Sequence, residues 1–493
     1  MTRPIPCRRL SSCFPPSVLV AGIAVVVALE MSETALGNVL APLFAACAIS
    51  VLFWRSLTIR DQGLPIFELG AFFMLATAAY TVLPLARYVL GGMQFSVLSH
   101  QRLYQLNPTP GQFAEAGWMY VVFMATFALG YLGLRRHDLA TALRLEPVPY
   151  ATGVVAVFLW LFLNSIVLFL RFAYGINFFV AYDESLYEAA AVFAQLPLIA
   201  RQLVPIAYGL LTILNVVIIV MLVARWKSRL WRNALFVWIA ASCLNYLLNP
   251  GGRFALFSML IAFVMAFHRF VRPIRISEVL LGSLILFGAF IGAGFARGGS
   301  SLLEQGQAML DLLDGYQTLF TVSDEFQNAY GSLLEFKHNL EHGLLDPVPW
   351  QIYAADILMT IPQQILPFEK LEPVEWYVGV TQNPDYFNFS VFAQAVLGFG
   401  WGEIALRGGI WGFALAIIHN WWARKPSTLW RTVFYIWVTV VSYQTVRNTS
   451  FYLVPLILYR FLPLLLIVRI GEWLFEGAAS ARSLHRALGR SPP

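Results

Sequence analysis

Charged side chains are scarce in this sequence. Asp, Glu, Lys and Arg make up 12% of the 493 residues, against roughly a quarter in an ordinary soluble protein. So little charge in so apolar a chain excludes a disordered protein, and it leaves a conventional soluble enzyme without a hydrated surface. Cysteine is also sparse. Of the four, Cys7 and Cys13 fall in the N-terminal tail, and Cys47 and Cys243 fall inside apolar runs. No external disulfide is therefore expected, and no Cys/His spacing suited to a metal is present. Alternation of apolar and polar residues with a period of two is missing, which excludes a transmembrane β-barrel. No internal repeat is found, and the paired broken helices that would favour a transporter are missing too. The basic N-terminal tail leads into an apolar segment that runs on into the next one, so it reads as a retained anchor and not as a cleaved signal.

What the chain has instead is apolar length. Hydrophobic residues make up 59% of it, with 39 Phe, 20 Tyr and 15 Trp. A bilayer core about 30 Å thick needs roughly 20 apolar residues per helix. That ruler predicts twelve spans, at 14–30, 36–54, 64–86, 114–134, 150–171, 201–224, 233–248, 254–270, 276–296, 403–423, 428–446 and 450–469. A backbone in lipid has to satisfy its own hydrogen bonds, so the fold class expected is an all-α polytopic membrane protein with about 12 transmembrane helices. Twenty-two of the 33 basic residues then lie on one side, which places both termini in the cytoplasm. The expected organisation is spans 1–9 over 1–296, a large external loop over 297–402, spans 10–12 over 403–469 and a cytoplasmic tail over 470–493.

A loop of that length exceeds what a connector needs and is expected to fold as a helical lid. It is acidic: residues 298–402 hold thirteen Asp and Glu but only two bases, Lys337 and Lys370. Aromatics recur through it, including Tyr316, Tyr330, Trp350, Tyr353, Trp376, Tyr377, Tyr386 and Phe387. Two readings stand side by side. In one, Trp and Tyr anchor an amphipathic cap at the membrane interface; in the other, aromatic faces and carboxylates form a platform for sugars.

Several arginines run against the charge trend: Arg87, Arg102, Arg171, Arg201, Arg253, Arg297, Arg407 and Arg447 lie outward, and Arg460 falls inside span 12. An arginine at the bilayer centre costs at least about 2.5–3.5 kcal/mol, so it normally faces a cavity or a partner. Arg253, Arg297, Arg407 and Arg447 sit at outer span ends, and Arg253 and Arg407 adjoin the glycine pairs Gly251–Gly252 and Gly408–Gly409. Glycine permits close backbone approach and arginine offers a planar fork that matches phosphate oxygens, so this group is a candidate diphosphate site.

Four segments resemble the polytopic O-antigen polymerases, the oligosaccharide repeat-unit polymerases. Leu248-Asn-Pro-Gly-Gly-Arg-Phe-Ala-Leu256 is similar to that family's Gly/Ser-Arg turn between two helices. Ile361-Pro-Gln-Gln-Ile-Leu-Pro367 resembles its Ile-Pro…Pro segment late in the large loop. Gly402-Glu-Ile-Ala-Leu-Arg-Gly-Gly-Ile-Trp-Gly412 resembles a Gly-Glu…Gly-x-x-Gly element opening the next helix, and Arg447-Asn-Thr-Ser-Phe451 an Arg-containing entry to the last span. Pro250 and Arg407 depart from the family pattern, where small polar residues are commoner. The resemblance implies transfer of a growing glycan from undecaprenyl diphosphate to a hydroxyl of the next lipid-linked repeat unit. It places the site on the periplasmic face of the bacterial inner membrane, without metal or other cofactor. Implied partners are the undecaprenyl-diphosphate-linked oligosaccharide, membrane lipid and a chain-length regulator protein, with no nucleic acid.

Such a transfer must stabilise charge on the departing diphosphate and remove a proton from the attacking hydroxyl. A single displacement needs one base and inverts the anomeric centre. Glu403 is the first candidate for that base, one helical turn before Arg407. The alternative for Glu403 is a helix cap or an ion pair with Arg407. His338 is the second candidate; it shares a helix face with His342, but the pattern is not His-Glu-x-x-His and no zinc site is expected. An O-antigen ligase, another lipid-dependent glycosyltransferase, or a flippase or transporter of lipid-linked glycans remain the alternative functions.

Overall fold

The computed structural model describes residues 34–58, 67–91, 108–136, 145–173, 197–247, 253–275, 277–278, 282, 325–345, 347–381, 390–423, 428–447 and 453–487. Among these residues the chain is helical. The helices are α1 (Ala35–Thr58), α2 (Leu69–Leu90), α3 (Pro110–Leu134), α4 (Tyr150–Ala173), α5 (Leu198–Ala224), α6 (Arg229–Leu247) and α7 (Arg253–Phe270). After them come α8 (Glu325–Glu341), α9 (Pro373–Thr381), α10 (Val391–Leu397), α11 (Trp401–Ala423), α12 (Leu429–Val441) and α13 (Leu462–Ala487). One-turn helices fill parts of the gaps, at Trp350–Tyr353, Ala355–Leu358, Gln444–Arg447 and Leu453–Leu456.

Seven of the described helices are long and apolar enough to cross a bilayer: α1 to α5, α11 and the segment Leu453–Glu476. The protein is thus an α-helical membrane protein. The expected span at 14–30 and nearly all of the one at 276–296 lie outside the described residues. Three other expected spans also form helices, α6, α7 and α12, that are not among the seven. Helix α6 carries Arg229, Arg232, Asn233 and Asn245 within its nineteen residues. Helix α7 is eighteen residues long and includes the apolar stretch Ser258–Phe270. The run at 428–446 breaks after the thirteen residues of α12, a length of about 20 Å.

Local chemistry sets the helix ends. Pro110 occupies the first position of α3, and Thr109 and Gln112 cap it reciprocally, Gln112 N donating to Thr109 Oγ1 and Thr109 N to Gln112 Oε1. That arrangement satisfies two backbone donors that the helix itself leaves open.

The chain divides into two compact units that interleave along the sequence. One is Met1–Leu139, Leu312–His419 and Ser442–Tyr452; the other is Ala140–Asp311, Asn420–Val441 and Leu453–Pro493. In the first, α1 packs on α2 and α3. Helix α11 meets α3 through glycines: a Cβ on Gly408 would lie 2.5 Å from the Phe123 carbonyl oxygen, and one on Gly130 would lie 2.7 Å from that of Gly409. Gly408 and Gly412 are four residues apart, a spacing that brings two membrane helices into backbone contact. The close approach expected of Gly408 therefore serves helix packing against α3. On the lipid side of α11, Leu406, Ile410, Phe413 and Ile417 are exposed at helical spacing.

The segments between residues 325 and 397 have an apolar core of their own, in which Phe336, Leu345, Ile352, Trp376, Tyr377, Ala393 and Leu397 pack together. Tyr330 roots this lid in the helices, donating a hydrogen bond of 2.6 Å to the Phe113 carbonyl and stacking on Tyr120. In the second unit α5 is the central helix, packed against α4, α6, α7 and α12.

A buried ionic cluster ties the lid-distal ends of α2, α3 and α11. Glu68 precedes α2 and accepts hydrogen bonds from Arg135 Nε (2.6 Å), Arg135 Nη2 (2.7 Å) and Tyr131 Oη (2.7 Å). His419 Nε2 lies 3.8 Å from the same carboxylate. Gly70 makes room for it, since a Cβ there would strike the Tyr131 ring. Removing one member leaves the other charge buried without its partner. Glu68→Ala is expected to cost about 3–5 kcal/mol, read as thermal unfolding of the detergent-solubilised protein. The double variant Glu68→Leu with Arg135→Met is expected to recover most of that loss.

Candidate functional site

The first turns of α11 lie against the lid, and the geometry there begins with glycine. Gly400 adopts φ 57° in the turn before the helix, a left-handed conformation that glycine enters without strain. A Cβ on Gly398 would collide with the Glu403 carboxylate. With glycine at 398, Glu403 Oε2 reaches back to accept the Phe399 backbone N–H at 2.9 Å. Glu403 thus pins the turn that leads into its own helix.

The other carboxylate oxygen of Glu403 faces Arg407. Arg407 Nε donates to Glu403 Oε1 at 2.7 Å, and Nη2 pairs with the same oxygen. On its far side Nη1 donates to Asp356 Oδ2 at 2.6 Å and to Gln394 Oε1 at 3.3 Å. The Arg407 side chain is 9% exposed and that of Asp356 5%, whereas that of Glu403 is 15% exposed. One guanidinium therefore joins three pieces of chain: the start of α11, the one-turn helix at 355–358 and α10. The pairing foreseen as the alternative for Glu403 is present. Asp356 and Gln394 enter the site unannounced; in the sequence Asp356 is one lid acid among thirteen, and neither its spacing nor its neighbours mark it.

The other expected residues are placed as follows. Arg447 ends the one-turn helix Gln444–Arg447, which packs against α10, so it shares a neighbour with Arg407. Arg253 is the first residue of α7, in the second unit, and its side chain lies outside the described residues. Arg297, and the glycines at 251 and 252, also lie outside the described residues.

His338 lies on α8 beside His342, with ring centroids 4.0 Å apart and the ring planes tilted by 34°. Around it, Lys337 pairs with Glu115 of α3 and, at 3.4 Å, with Glu341. His338 lines a small recess together with Pro108, Gln112, Leu334, Lys337 and Glu341. Burial pushes its imidazole below the ordinary value of 6.5 and the neighbouring His342 adds to that, while Glu341 pulls the other way. His338 is not brought to the Glu403–Arg407–Asp356 cluster by any described contact.

The lid aromatics separate into two groups. Tyr330, Trp376 and Tyr377 are buried, and Tyr377 donates to Glu335 Oε1 at 2.6 Å and accepts from Asn339 Nδ2 at 2.9 Å. Trp350 and Tyr353 are exposed. Of the described aromatics named in the sequence, these two are the ones open to a sugar or an interface; Tyr316, Tyr386 and Phe387 lie outside the described residues. No protein-family model matches the chain, and no curated protein or solved structure is found similar to it.

Two outcomes are expected from this geometry. In a double-mutant cycle, Asp356→Ala and Arg407→Ala should show non-additive losses with a coupling of about 0.5–3 kcal/mol, measured by thermal unfolding. For His338 the folded protein holds fewer protons than the unfolded chain just below the ordinary pKa. Its contribution to stability is complete above 6.5 and declines as the pH falls below that value. The wild type should lose more stability on acidification through this window than His338→Asn does.

Proposed function

We propose that the protein is a membrane-embedded glycosyltransferase that polymerises lipid-linked oligosaccharide repeat units. It would transfer the growing glycan from undecaprenyl diphosphate to a sugar hydroxyl of the next unit. The observation that carries this reading is the Glu403–Arg407–Asp356 cluster, set where a membrane helix meets an acidic, aromatic lid. The four sequence segments that resemble O-antigen polymerases supply the reaction class. Three of them fall in the first unit: Ile361–Pro367, Gly402–Gly412 and the Arg447 entry.

Glu403 is the base in this reading. Arg407 orients its carboxylate with two donors, and the Phe399 amide fixes the other oxygen. A base held in one rotamer meets the incoming hydroxyl without reorganisation. Because the fork of Arg407 is engaged by Glu403 and Asp356, its role shifts from diphosphate contact to orientation. The departing diphosphate falls to Arg447, in the same unit as Glu403, whose positive charge stabilises the leaving group. Asp356 keeps Arg407 at this depth by neutralising it, since a guanidinium inside the membrane boundary needs a counter-charge. Trp350 and Tyr353 offer exposed aromatic faces to the glycan. The same reading places the site on the periplasmic side of the inner membrane, with a chain-length regulator as a further partner.

Lipopolysaccharide banding in a strain lacking the gene is the test. A single repeat unit on core supports a polymerase. Bare core with stored polymer points to a ligase, and no change in banding rejects both enzymes; glycan transport is then read in proteoliposomes. In the complemented strain, Glu403→Gln and Arg447→Ala should each leave single repeat units at unchanged protein level. Normal ladders from Glu403→Gln would reject that residue as the base.

A further inference from the structure

Arg460 stands apart from the other arginines described within the membrane helices. Arg135 has Glu68, Arg407 has Glu403 and Asp356, and Arg469 has Glu472 at 3.0 Å. Arg460 makes no hydrogen bond or ion pair among the described residues. It lies inside the apolar segment Leu453–Glu476, in the second unit, and it is half-buried. An arginine so placed is costly unless something answers its charge.

Two further features show that the position is built. Residues Ile457–Phe461 form a π turn, a widened turn that interrupts the α-helix at this residue. Such turns cost regular hydrogen bonding and concentrate at functional sites. Across from it, α5 presents Gly209, where a Cβ would collide with the Arg460 stem and lie 2.7 Å from Nε. The stem therefore lies along bare backbone of α5. On the adjacent face Phe461 packs among Trp430, Phe434 and Trp437, which closes the far side with apolar rings. Helical side chains lean toward the N-terminus, so the guanidinium is carried toward the membrane surface at which this helix begins, where lipid phosphates lie.

We infer that Arg460 is a binding site for the phosphate of a lipid, with Gly209 as its seat. The fork of a guanidinium matches two phosphate oxygens, and the charge of the ligand answers the charge that the described residues leave open. The same chemistry is offered by an anionic phospholipid and by a polyprenyl diphosphate. Binding here does not depend on the polymerase reading; normal or abnormal glycan ladders leave it untouched.

The test uses the full-length protein in detergent, titrated by native mass spectrometry with phosphatidylglycerol, undecaprenyl diphosphate and, as a zwitterionic control, phosphatidylcholine. Arg460→Gln should bind at least one of the two anionic lipids about tenfold more weakly, the loss expected for a charge-assisted hydrogen bond. Phosphatidylcholine binding should be unchanged. A loss confined to undecaprenyl diphosphate makes this a donor-lipid site, and one confined to phosphatidylglycerol a phospholipid site. A loss of both gives a site for either. Gly209→Val, which displaces the arginine while keeping its charge, should weaken the same lipid. If Arg460→Gln does not fold, Arg460→Lys serves: it keeps the charge and loses the fork, and a weaker anionic complex is again expected. Unchanged binding in the variants that fold, or an equal loss of phosphatidylcholine, would overturn the inference.

Discussion

In an apolar solvent a charge without a counter-charge is expensive, and in this chain that constraint arranges the rest. Arg407 is neutralised by Glu403 from its own helix and by Asp356 from the lid, and the second of these contacts, with the one to Gln394, ties the lid to α11. Arg135 and Glu68 do the same work toward the other end of that helix, joined by Tyr131 and His419. Around both clusters the helices are packed closely enough to exclude lipid, through Gly408, Gly412 and Gly130 on one interface and Gly70 beneath Tyr131 on another. Packing and charge are thus one design: small residues bring backbones together so that long ionic side chains can reach each other.

The site gains its character from the same economy. A carboxylate fixed by its own helix start and by an arginine is a rigid acceptor, and rigidity is what a base or a binding group needs. With Asp356 the centre holds two carboxyl groups around one guanidinium. It sits beneath a lid that is itself acidic. A diphosphate would be repelled by this centre and drawn to a cation elsewhere, which is why the proposed division of labour gives the leaving group to Arg447.

Much of the site was legible in the chain as written. The order of apolar runs placed most of the described helices within a few residues, because hydropathy and helix length are both local. Glu403 and Arg407, four residues apart, announce their pairing by helical spacing alone. The opposite holds for Asp356, which is fifty-one positions from Arg407, and for Glu68, sixty-seven positions from Arg135. No periodicity links such pairs. The glycines beside Arg407 show a further limit: a small residue permits close approach, but whether a ligand or another helix does the approaching is not written next to it. Here it is α3.

Composition and the order of apolar runs therefore determined that this is a helical membrane protein with an acidic, aromatic segment late in the chain and a few arginines within or beside its apolar runs. Those properties depend on residue type and on neighbours within a turn or two of helix. The tertiary structure decided which arginines are answered by an acidic side chain among the described residues. It also decided which aromatics are core and which glycines are contacts, and it grouped distant stretches into two interleaved units. The reason is physical: a counter-charge or a packing partner is chosen by proximity in space, and in a bundle of helices that proximity is set by how the helices lie together.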